Sequence, residues 1–221
     1  MPTPLSTPPT FREIYRVLDA SVEAGNWWPA DSDFEVFVGA ILTQNTNWQN
    51  VVTCIDNLKQ ADCLRPDALL ALEAETLETL IYASGYRRAK TRYLKDISTW
   101  FIEHHPDAHT QDTPTLRQDL LRVHGVGAET ADDLLLYVYQ RPVFIYDLYA
   151  RRLIEATGHG IYTTYNHAKR TLDPVIEAEG FNAAEHAHFH GLIVNASKHA
   201  RTQGGWPTYW PSLLARAGVD Y

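Results

Sequence analysis

Apolar residues recur along most of this chain at intervals of three and four, the spacing that lines them up on one face of an α-helix. Phe11, Ile14, Tyr15, Leu18 and Val22 set the first stripe, and Gly25 reads as the C-cap of that helix. A loop with Trp27, Trp28 and Pro29 follows. Asp33 then reads as the N-cap of a helix that buries Phe34, Phe37, Val38, Ile41 and Leu42. Val51, Val52, Ile55 and Leu58 predict a helix over 46–60, and two short helices over 67–82 are broken by Ser84-Gly85. A helix is expected over 87–103 with Leu94, Ile97 and Phe101 inward, then a loop over 106–114. Thr115 starts a helix bearing Leu116, Leu120 and Leu121, and a second helix bears Leu134, Leu135 and Val138. Gly125-Val126-Gly127 joins them as a tight hairpin. Residues 143–146 read as extended, too short to make a sheet, and Asp147 opens a helix that ends at Gly158. Helices over 166–179 and 183–202 follow, and the aromatic, Pro-rich tail 204–211 is expected to pack on the body. The class is all-α.

Composition narrows this. With 221 residues, 45% of them hydrophobic, the chain can bury a substantial core, and no apolar run reaches a membrane span. Residues 1–10 read as a disordered lead-in, lacking the basic and apolar regions of a signal peptide. The two cysteines, Cys54 and Cys63, give no disulfide framework and point to the cytosol. They are too few for a four-thiolate iron–sulfur site. The net charge of −8 argues by itself against a nucleic-acid partner. Local field matters more than the total, however. Basic residues gather at Arg87, Arg88, Lys90, Arg92 and Lys95, at Arg151 and Arg152, and at Lys198 and Arg201. Acids concentrate at Glu73, Glu75 and Glu78 and at Glu177 and Glu179.

The hairpin amides and the first turn of the helix after them lack intrahelical partners, which makes a natural phosphate site. From Gly-x-Gly alone an ordinary αα-turn is the simpler reading. Asp147 in isolation is a helix N-cap, and tryptophans in isolation are core. His186, His188 and His190 alternate on a helix without the intervening Glu of a zinc protease and with no cysteine nearby, so no metal is expected there.

Taken together, the motifs are more specific. Leu121-Arg-Val-His-Gly-Val-Gly-Ala-Glu-Thr-Ala-Asp132, then Pro142-Val-Phe-Ile-Tyr-Asp147-Leu-Tyr-Ala-Arg-Arg152, resembles the signature of the helix-hairpin-helix (HhH-GPD) DNA glycosylases. Leu42-Thr-Gln-Asn-Thr46, Ser84-Gly-Tyr-Arg-Arg-Ala-Lys90 and Leu94 match upstream in the family's order, so the resemblance spans roughly residues 30 to 200. Trp27-Trp28-Pro29, Phe34 to Thr46, Gly127 to Asp132 and Phe189 to Val194 are similar to the 3-methyladenine DNA glycosylase III branch, with Leu192 where that branch often has Lys.

The resemblance implies a helix-hairpin-helix glycosylase fold of two helical domains with the active cleft between them. Residues 25–141 would form a six-helix domain, and 11–24 with 142–221 a discontinuous second one. It implies Asp147 as the catalytic carboxylate. Glu129 stands where bifunctional relatives carry the lysine that forms a Schiff base, which implies hydrolysis without strand cleavage. Trp27, Trp28, Trp48 and Lys198 are implied as the pocket for a flipped base, Gln44 and Tyr86 as the wedge filling the gap it leaves. Gly125, Val126, Gly127 and Thr130 are implied as the phosphate contacts of the hairpin. No iron–sulfur cluster is implied, though hairpin carbonyls could hold a monovalent cation. The implied enzyme is a monofunctional glycosylase for alkylated purines, a monomer acting on double-stranded DNA with damaged bases. It would sit in the cytoplasm, on the bacterial nucleoid while acting, with no membrane partner. Two other readings stand beside it. One is an endonuclease III-like glycosylase and lyase for oxidised pyrimidines, which Glu129 opposes. The other is a non-catalytic helix-hairpin-helix DNA-binding module, which the net charge favours and Asp147 opposes.

Overall fold

The computed structural model describes residues 7–25 and 27–218. Among them there are twelve α-helices, one 3₁₀ turn and no strand. They divide into two compact units, one of them Trp28–Arg141, the other joining the described residues up to Trp27 to those from Pro142 on.

The Trp28–Arg141 unit contains α2 (Asp33–Leu42), α3 (Trp48–Gln60), α4 (Pro66–Ala71), α5 (Ala74–Leu80), a 3₁₀ turn at Tyr82–Ser84, α6 (Arg87–Ala108), α7 (Thr113–Arg122) and α8 (Ala128–Tyr137). Helix α2 is its centre: every residue from Phe34 to Leu42 is buried, and α3, α6 and α8 pack around it. Its N-cap is Ser32, whose hydroxyl accepts from the Glu35 amide, and not Asp33 as the pattern suggests. Asp33 is instead the first helical residue. At the other end Lys90 Nζ donates to Leu42 O (2.7 Å) and Ser84 O (2.8 Å). A cation is favoured at a helix C-terminus, where it satisfies carbonyls that have no helical donor. Burial lowers the Lys90 pKa to about 8.

Helix α6 overruns the expected loop. It continues through Pro106 to Ala108, so Pro106 removes one rung of the ladder without ending the helix. Pro114 sits in the first turn of α7, where its missing N–H costs nothing, and Asp112 caps that helix.

The other unit contains α1 (Phe11–Asp19), α9 (Leu148–Ala156), α10 (Tyr165–Glu177), α11 (Ala183–Thr202) and α12 (Trp206–Ala217). Helix α11 packs against α1, α9 and α12. Phe11, Leu18, Phe144, Tyr146, Phe189, Leu192 and Trp210 lie in the shared apolar core. The amides of Phe11 and Arg12, at the start of α1, donate to the Glu179 carboxylate, and Arg12 pairs with Glu185 and lies over the Phe181 ring. Those contacts tie α1 to a segment more than 160 residues away in sequence.

Helix α1 ends at Asp19 with Ala20 as its C-cap, short of the expected Gly25. Thr10 caps its start with a reciprocal Glu13 contact, and Pro9 is buried, so ordered structure begins inside the stretch read as a lead-in. Residues 1–6 of that stretch lie outside the described residues. The tail packs on its unit, but as a helix: Trp206, Tyr209, Trp210 and Leu213 form its buried face, and Pro207 lies in the first turn.

Candidate active site

The hairpin joins α7 to α8. Gly125 has φ +91°, and a Cβ there would lie 2.2 Å from Cγ of Tyr93, so both the backbone and the tyrosine ring require glycine. Val126 turns inward and is buried, while its amide closes the turn onto Val123 O at 3.0 Å. Gly127 opens α8 with no side-chain cap, and a Cβ there would meet nothing within 4 Å. That leaves an open approach to the first-turn amides. The Arg117 guanidinium grips buried Asp132 (Nε–Oδ1 2.6 Å) and ties α7 to α8.

Gln44 Nε2 donates to Gly125 O (2.9 Å) and Thr130 Oγ1 (3.1 Å). The Thr130 side chain is therefore inward, and what Gly125, Val126, Gly127 and Thr130 can offer a phosphate is backbone. The hairpin carbonyls Val123 O and Gly125 O each accept one hydrogen bond already and retain a second lone pair. Glu129, in the first turn of α8, is exposed.

In the same unit Trp28 takes a left-handed backbone (φ 56°) and lays its ring 5.0 Å from Tyr137 and 5.8 Å from Trp48, centroid to centroid. Gly39 makes room for it: a Cβ there would lie 3.3 Å from Trp28 Nε1. Trp48 is 38% exposed. Tyr86, the left-handed N-cap residue of α6, is 72% exposed. Of the two expected wedge residues, Tyr86 is thus presented to solvent, and the Gln44 amide is engaged by the hairpin.

The other unit gathers Asp147, His190, Trp27 and Lys198. Asp147 is the N-cap of α9, where its Oδ1 accepts from the Ala150 amide at 2.7 Å. Its Oδ2 lies 3.6 Å from His190 Nε2, and both side chains are largely buried. The Trp27 ring stands edge-on to His190, centroids 5.5 Å apart. Gly191 permits this approach, since a Cβ there would come within 3.2 Å of Trp27 Cβ. Lys198 Nζ lies 5.4 Å from the Trp27 ring centroid and bonds Asn195 Oδ1. A capped carboxylate with its second oxygen turned towards an imidazole, beside an aromatic face that already accepts a cation, can stabilise positive charge developing on a sugar.

Several cations expected on a DNA-facing surface serve the backbone instead. Lys90 and Lys95 bind carbonyls, the latter Leu72 O at 2.7 Å, and Arg151 binds the carbonyls of Tyr146, Asp147, Tyr162 and Thr163. Arg152, Lys198 and Arg201 line a groove of about 900 Å³ with Tyr149 and Trp206. The three alternating histidines diverge. His186 packs against Phe144 and Phe181, His188 pairs with Asp19, and His190 faces Asp147. His190 was visible in the sequence only as a member of this series; its partner could not be read from the spacing.

A glycine hairpin between two helices, followed by a helix-capping aspartate, defines a helix-hairpin-helix protein of the DNA-repair kind. A model of the HhH-GPD superfamily of base excision DNA repair proteins matches residues 38–177. The chain belongs to that superfamily and is a base-excision DNA glycosylase. A protein of Methanocaldococcus jannaschii that carries the name DNA repair glycosylase is 39% identical over 151 residues, 66% of this chain and 69% of the relative. The crystal structure of the H. pylori 3-methyladenine DNA glycosylase bound to 1,N6-ethenoadenine superposes with a TM-score of 0.71 and 25% identity, covering 85% of this chain and 96% of that one. A trapped covalent complex of endonuclease III with DNA shares the fold at TM-score 0.68 and 19% identity, over 86% and 87% of the two chains. Among the described residues no helix is long and apolar enough to cross a membrane. Cys54 and Cys63 are the two cysteines of the sequence, and both are buried as free thiols.

Proposed function

We propose that this glycosylase is monofunctional, hydrolysing the N-glycosidic bond of alkylated purines such as 3-methyladenine and leaving an abasic site. The Asp147 carboxylate carries the reading. One oxygen is fixed by the α9 amide and the other is turned to His190, while the hairpin position of the family's lyase lysine holds the exposed carboxylate of Glu129. A carboxylate cannot form an imine with C1′. It can stabilise the positive charge that grows there as the base departs, and orient the water that replaces the base. A purine nucleotide alkylated at a ring nitrogen such as N3 is cationic, and an indole face such as that of Trp27, beside which Lys198 Nζ lies, attracts a cation that displaces this ammonium. The likeness to the H. pylori enzyme supports the same substrate class.

In this reading the protein acts as a monomer on duplex DNA with damaged bases and needs no iron–sulfur cluster. The second reading of the sequence, an endonuclease III-like glycosylase and lyase for oxidised pyrimidines, is supported by the likeness to an endonuclease III of Sulfolobus acidocaldarius, 26% identical over 127 residues. Incubation with methylated, thymine-glycol and undamaged duplexes separates the two. Free methylpurine from the first duplex, with nicking only after alkali, is the expected result. Preferential release from the thymine-glycol duplex would contradict the assignment.

A further inference from the structure

A second cluster in the Trp28–Arg141 unit has no part in that chemistry. His105 and His109 lie one turn apart at the C-terminal end of α6, and Asp33 begins α2. One donor atom from each lies within 4.8 Å of the others. His105 Nε2 and Asp33 Oδ2 are 3.4 Å apart. Ligands about 2.0–2.1 Å from a tetrahedral ion lie about 3.3 Å from one another, so this edge already has coordination spacing.

The His105 ring is fixed in place. It stacks on Phe101 with centroids 4.1 Å apart and planes 13° from parallel, and its Nδ1 lies 2.9 Å from the hydroxyl of buried Tyr139. Donating Nδ1–H to that oxygen leaves the Nε2 lone pair directed to the Asp33 side, the role an orienting partner plays behind a metal-bound imidazole. Asp33 and His109 are exposed, which gives an ion a path in and a position for solvent.

We propose that Asp33, His105 and His109 form a binding site for a first-row divalent cation, with Tyr139 orienting His105 from behind. Two imidazoles and one carboxylate suit Zn²⁺ or Co²⁺; Ca²⁺ and Mg²⁺ take oxygen ligands. None of these residues belongs to the Asp147 group, so the site stands or falls independently of the substrate assignment.

The test titrates the full chain, freed of metal by chelation, with Zn²⁺ by calorimetry and with Co²⁺ by visible absorption. One equivalent is expected, with Co²⁺ ligand-field bands and no thiolate charge-transfer band. Binding should disappear in His109→Ala and in Asp33→Asn, both at exposed positions, with far-UV circular dichroism unchanged. Tyr139→Phe keeps the packing and should weaken binding about tenfold. His188→Ala, which removes the partner of Asp19 and a ring contact with Tyr15 in the other unit, should bind as the parent does. No saturable binding tighter than about 100 μM, or binding that survives His109→Ala, would show an Asp33–His105 ion pair only and overturn the site.

Discussion

Asp147 uses its two oxygens differently, and under the proposed function that separates folding from chemistry at a single residue. Oδ1 caps α9 and Oδ2 faces His190. Asparagine caps a helix about as well as aspartate, whereas alanine at an N-cap costs about 1 kcal/mol. Asp147→Asn should therefore keep the parent's urea midpoint and lose at least roughly 10²-fold in base release under single turnover. Asp147→Ala should lose both. An Asn variant that still turns over within a few-fold of the parent removes Asp147 from the chemistry. The residue was legible in the sequence because a single side chain carries both the capping pattern and the family motif. His190 was not, because its contact with Asp147 runs from α11 to the start of α9, a pairing the sequence spacing does not show. The Asp33, His105 and His109 cluster was hidden for the same reason. The two histidines show helical spacing, but only packing of α2 on α6 brings the carboxylate to them.

Among the elements, α11 carries the clearest consequence for stability. His186 on this helix is buried against Phe144 and Phe181, and that burial lowers its pKa to about 4. The folded protein thus refuses a proton that the unfolded chain takes up below about 6.5. Unfolded chains bind more protons throughout that window, so stability rises with pH across it. The contribution is complete above about pH 6.5, declines as pH falls, and levels off below the folded value, with a limit of about 3 kcal/mol. Urea midpoints measured at pH 7.5 and 4.5 should fall further apart in the parent than in His186→Leu. Equal differences in the two proteins would show that this imidazole takes a proton in the folded state as readily as in the unfolded one. Element boundaries were read less well than element existence. Pro106 reads as the start of a loop and the tail to Pro211 as a packed segment without an assigned element, but both prolines lie inside helices whose buried faces hold them. Tertiary burial of Trp206, Tyr209 and Trp210 outweighs the local penalty of Pro211 in α12.

Across the whole molecule, the net charge of −8 is reconciled with a DNA substrate by where the cations are used. Lys90, Lys95 and Arg151 stitch helix ends and loops to their neighbours, while Arg152, Lys198 and Arg201 line one groove. Composition could show how many cations there were but not which ones the backbone had claimed. The fold class was readable because helical periodicity repeats over nearly the whole chain and one of the hairpin glycines, Gly125, has a steric reason that Tyr93 makes explicit. In the proposed hydrolysis the sugar is served by the Asp147 carboxylate and forms no imine with a lysine. Borohydride trapping on a methylated duplex tests this directly, with Lys198→Ala beside the parent because Lys198 is the lysine of the Trp27 cluster. No covalent protein–DNA adduct in either protein, together with release of methylpurine by the parent, is the predicted result. An adduct formed by the parent, and above all one lost in Lys198→Ala, would contradict it.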